Sequence, residues 1–454
     1  MVGHLTIQWR VFKCAFYFLW IETIHFSPVS DYFAESLMSR IAEFTARGSE
    51  GDFGNSSLDL LPAMKATTRC LCYDPRDRVY GILSLLSNHY RKNIEVDYSR
   101  SCEEVYKDLM IYCAQEYGQM ELLRFCTIRE SSSPLKLPSW VPDISVPNLT
   151  SFLEYCGASG NSPNESRYNS AEDFLQIRGL HSATIAEVYS SVPHSAHLRD
   201  MLATCHSWEP PELLSASYVG GGSLLDAFII TLICGYFKEA VPANQGPFLL
   251  FEECKKAYFD CVRERKLNRN TAYYTMYLET MLPGRRFFKT QEGYIGLCPE
   301  SARPGDQIMV IIGIPSPLLL RPVPTAGGRM KYQLVGECFV HGMMWAEVFL
   351  GQLPSCWERR CTAIDGIAYP IFIHEGRSPL QDPRLGPLPK GWRIRYGQKG
   401  NPKDHHDDEF DDKGNMRYHW FEFPRTGEWS WTDPRLSSKA LKRRGLQIQD
   451  FAIV

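Results

Sequence analysis

The chain has 454 residues, of which 44% are hydrophobic and 13% aromatic, so it is long enough for two to four domains and a sizeable core. A formal net charge of -3 gives no general attraction to nucleic acid or to an acidic membrane surface, which removes both as default partners. The 15 cysteines are odd in number and scattered, a usage that suits reduced thiols in a cytoplasmic protein better than a disulfide framework.

In chain order, the apolar run from Cys14 to Trp20 leads into Glu22 without a small-residue cleavage site, so it reads as a core helix rather than a signal segment. A helix start follows in Asp74-Pro-Arg-Asp77. Asp74 can act as the N-cap, Pro75 stands where a missing N–H costs nothing, and Asp77 occupies the capping-box position. Val79, Ile82, Leu83 and Leu86 then share one helical face. Glu103 to Tyr117 reads as a second helix, and the polar stretch Gly157 to Ser170 as a linker or exposed loop.

Beyond it, Phe174 to Gly179 and Ala183 to Tyr189 alternate like two strands of a hairpin. Ser223 caps a helix whose buried stripe is Leu225, Phe228, Ile229 and Leu232, and helical patterning continues over 250–280. From Arg285 the pattern turns to five short strands punctuated by Gly and Pro, which predicts a small closed barrel. The reading is an α+β chain: residues 1–150, then a mainly helical region over 151–284 with a short hairpin, a small antiparallel β-barrel with an irregular extension over 285–385, and 386–454 with a basic C-terminal helix. In that last helix Ser437 is the cap, Lys439, Lys442, Arg443 and Arg444 complement the dipole, and Gly445 ends it.

Several motifs carry a resemblance. The segment around Asp74, Pro75, Arg76, Asp77 and Tyr80, the turn Asp97-Tyr98-Ser99, and the loop with Trp140, Pro142 and Asp143 follow one another as in fungal heterokaryon incompatibility (HET) domain proteins. Phe287 to Leu297, Gly305-Asp306, Leu320-Arg321 and Leu334 to Met343 resemble the region that follows many HET domains. The resemblance implies a role in fungal non-self recognition and programmed cell death. The family's opening motifs are absent, so the chain is expected to begin inside its own HET-like domain. Complete members are expected to resemble Toll/interleukin-receptor-like folds, with NAD consumption conceivable for them.

Residues 388–435 resemble a WW module, a three-stranded sheet with Trp392 against Pro434. Trp420, Phe421 and Trp431 would then make a groove for proline-rich peptides. An insert with Asp404, His405, His406, Asp407 and Asp408 widens the spacing and reads as a solvated charged loop rather than a metal site. Gly220-Gly-Gly-Ser223 lacks the Lys of a phosphate-binding loop, and no G-x-S-x-G, H-E-x-x-H or kinase signature is present. The expectation is a protein without catalytic residues, cofactor or metal that works through protein partners. Asp306 and His341 are expected to be structural.

Overall fold

The computed structural model describes residues 60–454 apart from 68–69, 71, 87, 118–119, 129–134, 147–152, 243–247, 326–329, 365–366, 380, 398–404, 407–409 and 411–415. The expectations for Cys14 to Trp20 and for most of the acidic insert lie outside the described residues. The chain divides into two compact units, residues 1–105 with 144–149 and residues 106–143 with 150–454.

In the first unit, helix α1 (Leu60–Thr67) precedes a single-turn helix α2 (Asp77–Tyr80), a 3-10 turn (Leu83–Leu85) and α3 (Asn88–Asn93). The anticipated apolar face is buried at Val79, Ile82, Leu83 and Leu86. Helix α4 (Cys102–Tyr112) begins with a reciprocal cap: Ser101 N–H donates to Glu104 Oε2 at 2.8 Å, and Glu104 N–H to Ser101 Oγ at 3.2 Å. From Tyr106 onward it belongs to the second unit, and it widens into a π turn at Cys113–Tyr117, so the helix anticipated from Glu103 to Tyr117 is present.

The second unit is organised by one strand. After the short β1 (Arg167–Asn169), β2 runs without a break from Phe174 to Val192. The expected hairpin is therefore a single 19-residue strand. Bulges at His181/Ala183, Ile185/Glu187 and Val188/Ser191 bend it, and a bulge re-aims a strand without ending its pairing. The two halves of β2 consequently serve different neighbours.

Helices α5 (Leu198–Ser207), α6 (Leu224–Leu232), α7 (Phe251–Tyr258) and α8 (Arg269–Met281) follow. Ser223 caps α6 as anticipated, its Oγ accepting Asp226 N–H at 3.0 Å. The helices bury a core around Trp208, Phe228 and Phe287, with the Trp208 and Phe287 rings stacked at 6.0 Å.

Strands β3 (Arg285–Thr290), β4 (Ile295–Pro299), β5 (Gln307–Ile311), β6 (Leu318–Val323), β7 (Lys331–Glu337) and β8 (Phe339–Val340) complete the expected run. Helix α9 (Glu347–Leu350), hairpin β9 (Glu358–Ile364) and β10 (Ile367–Ile373) come next. A four-stranded antiparallel sheet then forms from β11 (Arg393–Gly397), β12 (His405–His406), β13 (Tyr418–Phe423) and β14 (Glu428–Ser430), in the order β12-β11-β13-β14. Helix α10 (Ser438–Arg443) and β15 (Gln449–Ile453) end the chain. Ser437 caps α10 and Gly445 follows it with φ +92°, the end geometry expected for the basic segment.

The barrel closes differently from the reading over 285–385. Strand β15 pairs with both β7 and β2, so the closed ring is β2, β5, β6, β7 and β15, while β3, β4 and β8 extend from the far half of β2. Its two closing strands lie outside that run, β2 ending at Val192 and β15 beginning at Gln449. Ala183, Ile308, Leu319 and Val335 fill the interior. Gly296 is required where β4 meets β8, since a Cβ there would stand 2.1 Å from Phe339 O.

The Gly157 to Ser170 stretch is no exposed linker. Ala158 and Ser159 are buried, and the N–H groups of Gly157 and Ala158 donate to Met344 O and Pro315 O. Backbone groups taken from water need such partners, and these come from segments too distant in sequence for local composition to signal them.

Candidate functional site

The first group of motif residues forms a clasp within the first unit. Asp74 Oδ1 accepts Arg76 N–H at 2.9 Å, closing an Asx turn at the start of α2. The Arg76 guanidinium grips Asp74 in a fork, Nε to Oδ1 at 2.9 Å and Nη2 to Oδ2 at 2.7 Å, and its Nη1 donates to Tyr98 O at 2.5 Å and Arg100 O at 2.7 Å. One side chain thus ties the helix start to the Asp97-Tyr98-Ser99 turn, a planar geometry that a lysine could not reproduce.

Asp77 does not complete a capping box. Its Oδ1 accepts the Tyr98 hydroxyl at 2.6 Å, because the incoming turn presents a donor to the carboxylate. Tyr80 hydroxyl donates to Asp97 O at 3.1 Å and accepts Asp97 N–H at 3.3 Å, with the Tyr80 and Tyr98 rings edge to face at 5.3 Å. Asp97 Oδ1 accepts the N–H and hydroxyl of Ser99. The guanidinium of Arg76 holds the Asp74 carboxyl below the usual carboxylate range, and the Ser99 hydroxyl does the same for Asp97. The arrangement explains why the two motifs occur together: each completes the other's hydrogen bonds.

The third motif works in the second unit. Trp140 is fully buried against Tyr168, ring centroids 5.7 Å apart. Ser139 N–H donates to Val454 O at 3.1 Å, its hydroxyl also donates to Val454 O, and Leu334 N–H donates to Ser139 Oγ at 2.9 Å. The loop around Trp140, Pro142 and Asp143 therefore seals the seam between β7 and β15. Ser139, which belongs to the same motif of residues 137–143 but has no role legible in the sequence, makes the decisive contacts.

In the barrel, Asp306 is 1% exposed and receives both Nε and Nη2 of Arg321 at 2.8 Å, together with Arg303 N–H at 2.9 Å. The Gly-Asp and Leu-Arg motifs are two halves of one ion pair. Tyr218 hydroxyl donates to His341 O at 2.9 Å and accepts Ile295 N–H at 3.1 Å, and the Tyr218 ring lies 5.2 Å from the His341 ring. Asp306 and His341 have structural roles.

Burial lowers the His341 pKa from 6.5 to about 4. Between those values the unfolded chain binds a proton that the folded chain refuses, so this group's contribution to stability is present above pH 6.5 and is lost as pH falls towards about 4. We expect the unfolding midpoint of His341→Gln to fall less than that of the parent chain over this window. Parallel pH curves would contradict the assignment.

The C-terminal sheet separates the three residues placed in a groove. Trp420 and Phe421 are each 1% exposed, so neither offers a surface to a peptide. Trp431 is half-buried and meets Trp420 at 5.7 Å. Trp392 lies against Phe423 at 5.6 Å, and Pro434 opens a 3-10 turn capped by Asp433. The exposed aromatic is Trp429, 5.5 Å from Trp431, which the sequence reading passed over.

Among the described residues no group of three or more His, Cys, Asp or Glu could hold a metal ion, and no helix is long and apolar enough to cross a membrane. Residues 251–353 match the family model of the Het-6 β-barrel domain. The heterokaryon incompatibility protein 6, OR allele, of Neurospora crassa is 39% identical over 67 residues, which is 15% of this chain and 10% of that protein. The match thus spans about a tenth of that relative's length. No solved structure matches the chain.

Proposed function

We propose that this chain, whose residues 251–353 match the Het-6 β-barrel domain, is a heterokaryon incompatibility protein that acts in fungal non-self recognition and the cell death that follows fusion of unlike cells. The match over residues 251–353 carries the reading. The proposed mode of action is recognition of another protein rather than catalysis. In support, Arg76, Asp77, Tyr80, Asp97 and Tyr98 direct their polar groups at one another, and Asp306 and Arg321 do the same. A nucleophile or general base would need such groups aimed at a substrate.

The test is inducible expression in a filamentous fungus, with dye uptake scored in compartments formed by fusion with a panel of unlike strains. We expect death in a subset of pairings and none in self-fusions. Fused compartments that stay viable in every pairing would overturn the reading.

A second reading is favoured by one observation, the exposure of Trp429 beside Trp431 at the edge strand β14. In it, the C-terminal sheet binds a proline-rich partner through those two rings. Trp429→Ala should then abolish capture on a proline-rich peptide array. Capture that survives this change, or that never occurs with the full chain, would contradict it.

A further inference from the structure

A depression of about 500 Å³, open to solvent, lies in the second unit between the π turn Cys113–Tyr117 and the run of residues 164–168, with Arg178 of β2 also in its lining. That volume suits a small molecule rather than a bare ion. Its walls are fixed by backbone. The Asn164 main chain packs so closely on Gly313 that a Cβ there would stand 2.5 Å from Asn164 Cα, and Gly313 N–H donates to Ser162 Oγ at 2.8 Å. Ala114 and Gln115 are carried by the π turn, a widened backbone that is uncommon and recurs at functional sites.

The acceptors of this lining are already engaged, and its free groups are donors. Glu165 is taken at both oxygens, Oε2 by Arg178 Nη1 at 2.7 Å and Oε1 by Ser438 N–H at 2.8 Å. Asn164 Oδ1 accepts the N–H and the hydroxyl of Ser166 at 3.1 and 2.7 Å, which leaves its Nδ2 as the free end of the amide. The Tyr168 hydroxyl donates to Asp173 Oδ1 at 2.8 Å. Among the described residues, the Arg167 guanidinium and the Gln115 amide have no partner, and both side chains are exposed. Charge divides in the same way. Arg178 bridges Glu165 and Asp450, each at 2.7 Å, and Arg178 first, then Lys442, hold the Asp450 carboxyl below the usual carboxylate range. Arg167 is then the uncompensated cation of the depression.

We propose that this depression binds the carboxylate of a small organic acid, gripped by the Arg167 guanidinium and joined by the amide donors of Gln115 and Asn164. A guanidinium presents parallel N–H groups at the spacing of two carboxylate oxygens. Arg167 stands opposite Gln176 in the pairing of β1 with β2, so the cation is mounted on a fixed strand. One uncompensated cation suits a singly charged carboxylate, whereas a phosphate dianion would leave a charge unbalanced beside Glu165.

The test titrates the full chain with N-acetylglycine, followed by calorimetry and ligand NMR, beside N-acetylglycinamide, which keeps the body and removes the charge, and beside inorganic phosphate. We expect saturable N-acetylglycine binding that weakens about tenfold or more in Arg167→Gln, which deletes a charge-assisted hydrogen bond. Gln115→Glu, which adds a competing negative charge at the rim, should abolish it. Both side chains are exposed, so both variants should keep the denaturant midpoint of the parent chain. Absent N-acetylglycine binding, equal binding of the amide, or an unchanged affinity in Arg167→Gln would each overturn the proposal. Phosphate binding more tightly than N-acetylglycine would overturn it as well, by marking a site for phosphate groups.

Discussion

Replacing Arg124 by Met should unfold the second unit under conditions where the parent chain is stable, at a cost of about 3–5 kcal/mol. Arg124 and Glu337 are 5% and 4% exposed, with Nε to Oε2 at 3.1 Å, and the pair joins the 3-10 turn Glu121–Phe125 to the end of β7. The same guanidinium donates to Leu153 O, so it also holds the segment that leads towards β1. A methionine fills similar space but leaves the Glu337 carboxylate in the interior with Arg285 as its remaining cationic neighbour. The double change Arg124→Met, Glu337→Gln removes the stranded charge and should recover much of the loss. Denaturant unfolding of the four chains gives the coupling directly. A single variant as stable as its parent would show that the pair contributes nothing.

The second large effect is expected at Trp140. Truncation to Ala removes a fully buried indole from between Tyr168 and the seam that Ser139 closes on Val454, and should cost about 3–5 kcal/mol. Trp140→Phe should cost far less. The indole N–H is buried without a hydrogen-bond partner, so phenylalanine keeps an aromatic surface and removes an unsatisfied donor. Near-ultraviolet circular dichroism through a denaturant series distinguishes the two variants. Equal loss in both would mean that indole volume alone matters.

Local signals in the sequence were reliable where the physics is local. The caps at Ser223 and Ser437 each accept a backbone N–H three residues ahead, a pairing that needs no knowledge of the rest of the fold. Asp74 instead closes an Asx turn before the helix, whose N-cap position is Arg76 and has no side-chain cap. The apolar face from Val79 to Leu86, the five strands from Arg285 to Glu337 and the basic last helix were legible for the same reason. What escaped was set by partners far along the chain. Strand β2 reads as two strands because Gly179 and Ser182 look like a turn, yet pairing with β15, β5 and β3 keeps it continuous. Closure of the barrel by Gln449–Ile453 has no local signature at all.

The site residues divide in the same way. Asp97-Tyr98-Ser99 is recognisable as an Asx turn, but nothing nearby says that Arg76 will take the carbonyl oxygens of Tyr98 and Arg100. Trp420 and Phe421 look like a peptide groove in sequence because aromatic residues on a short strand serve either a surface or a core. Packing of Trp420 against Trp431 and of Phe421 against His419 decides for the core.

The central claim is that the signature residues build a framework whose folded surface acts in recognition. Arg76→Ala tests it most directly, since it opens the clasp without touching the barrel. The measurement is the fraction of fused compartments that die at a low and a high growth temperature, with folded protein quantified in the same cells. If the clasp is framework, killing falls at the high temperature in proportion to folded protein and returns at the low one. A variant that remains folded at both temperatures yet kills at neither would assign Arg76 a chemical role and contradict the account.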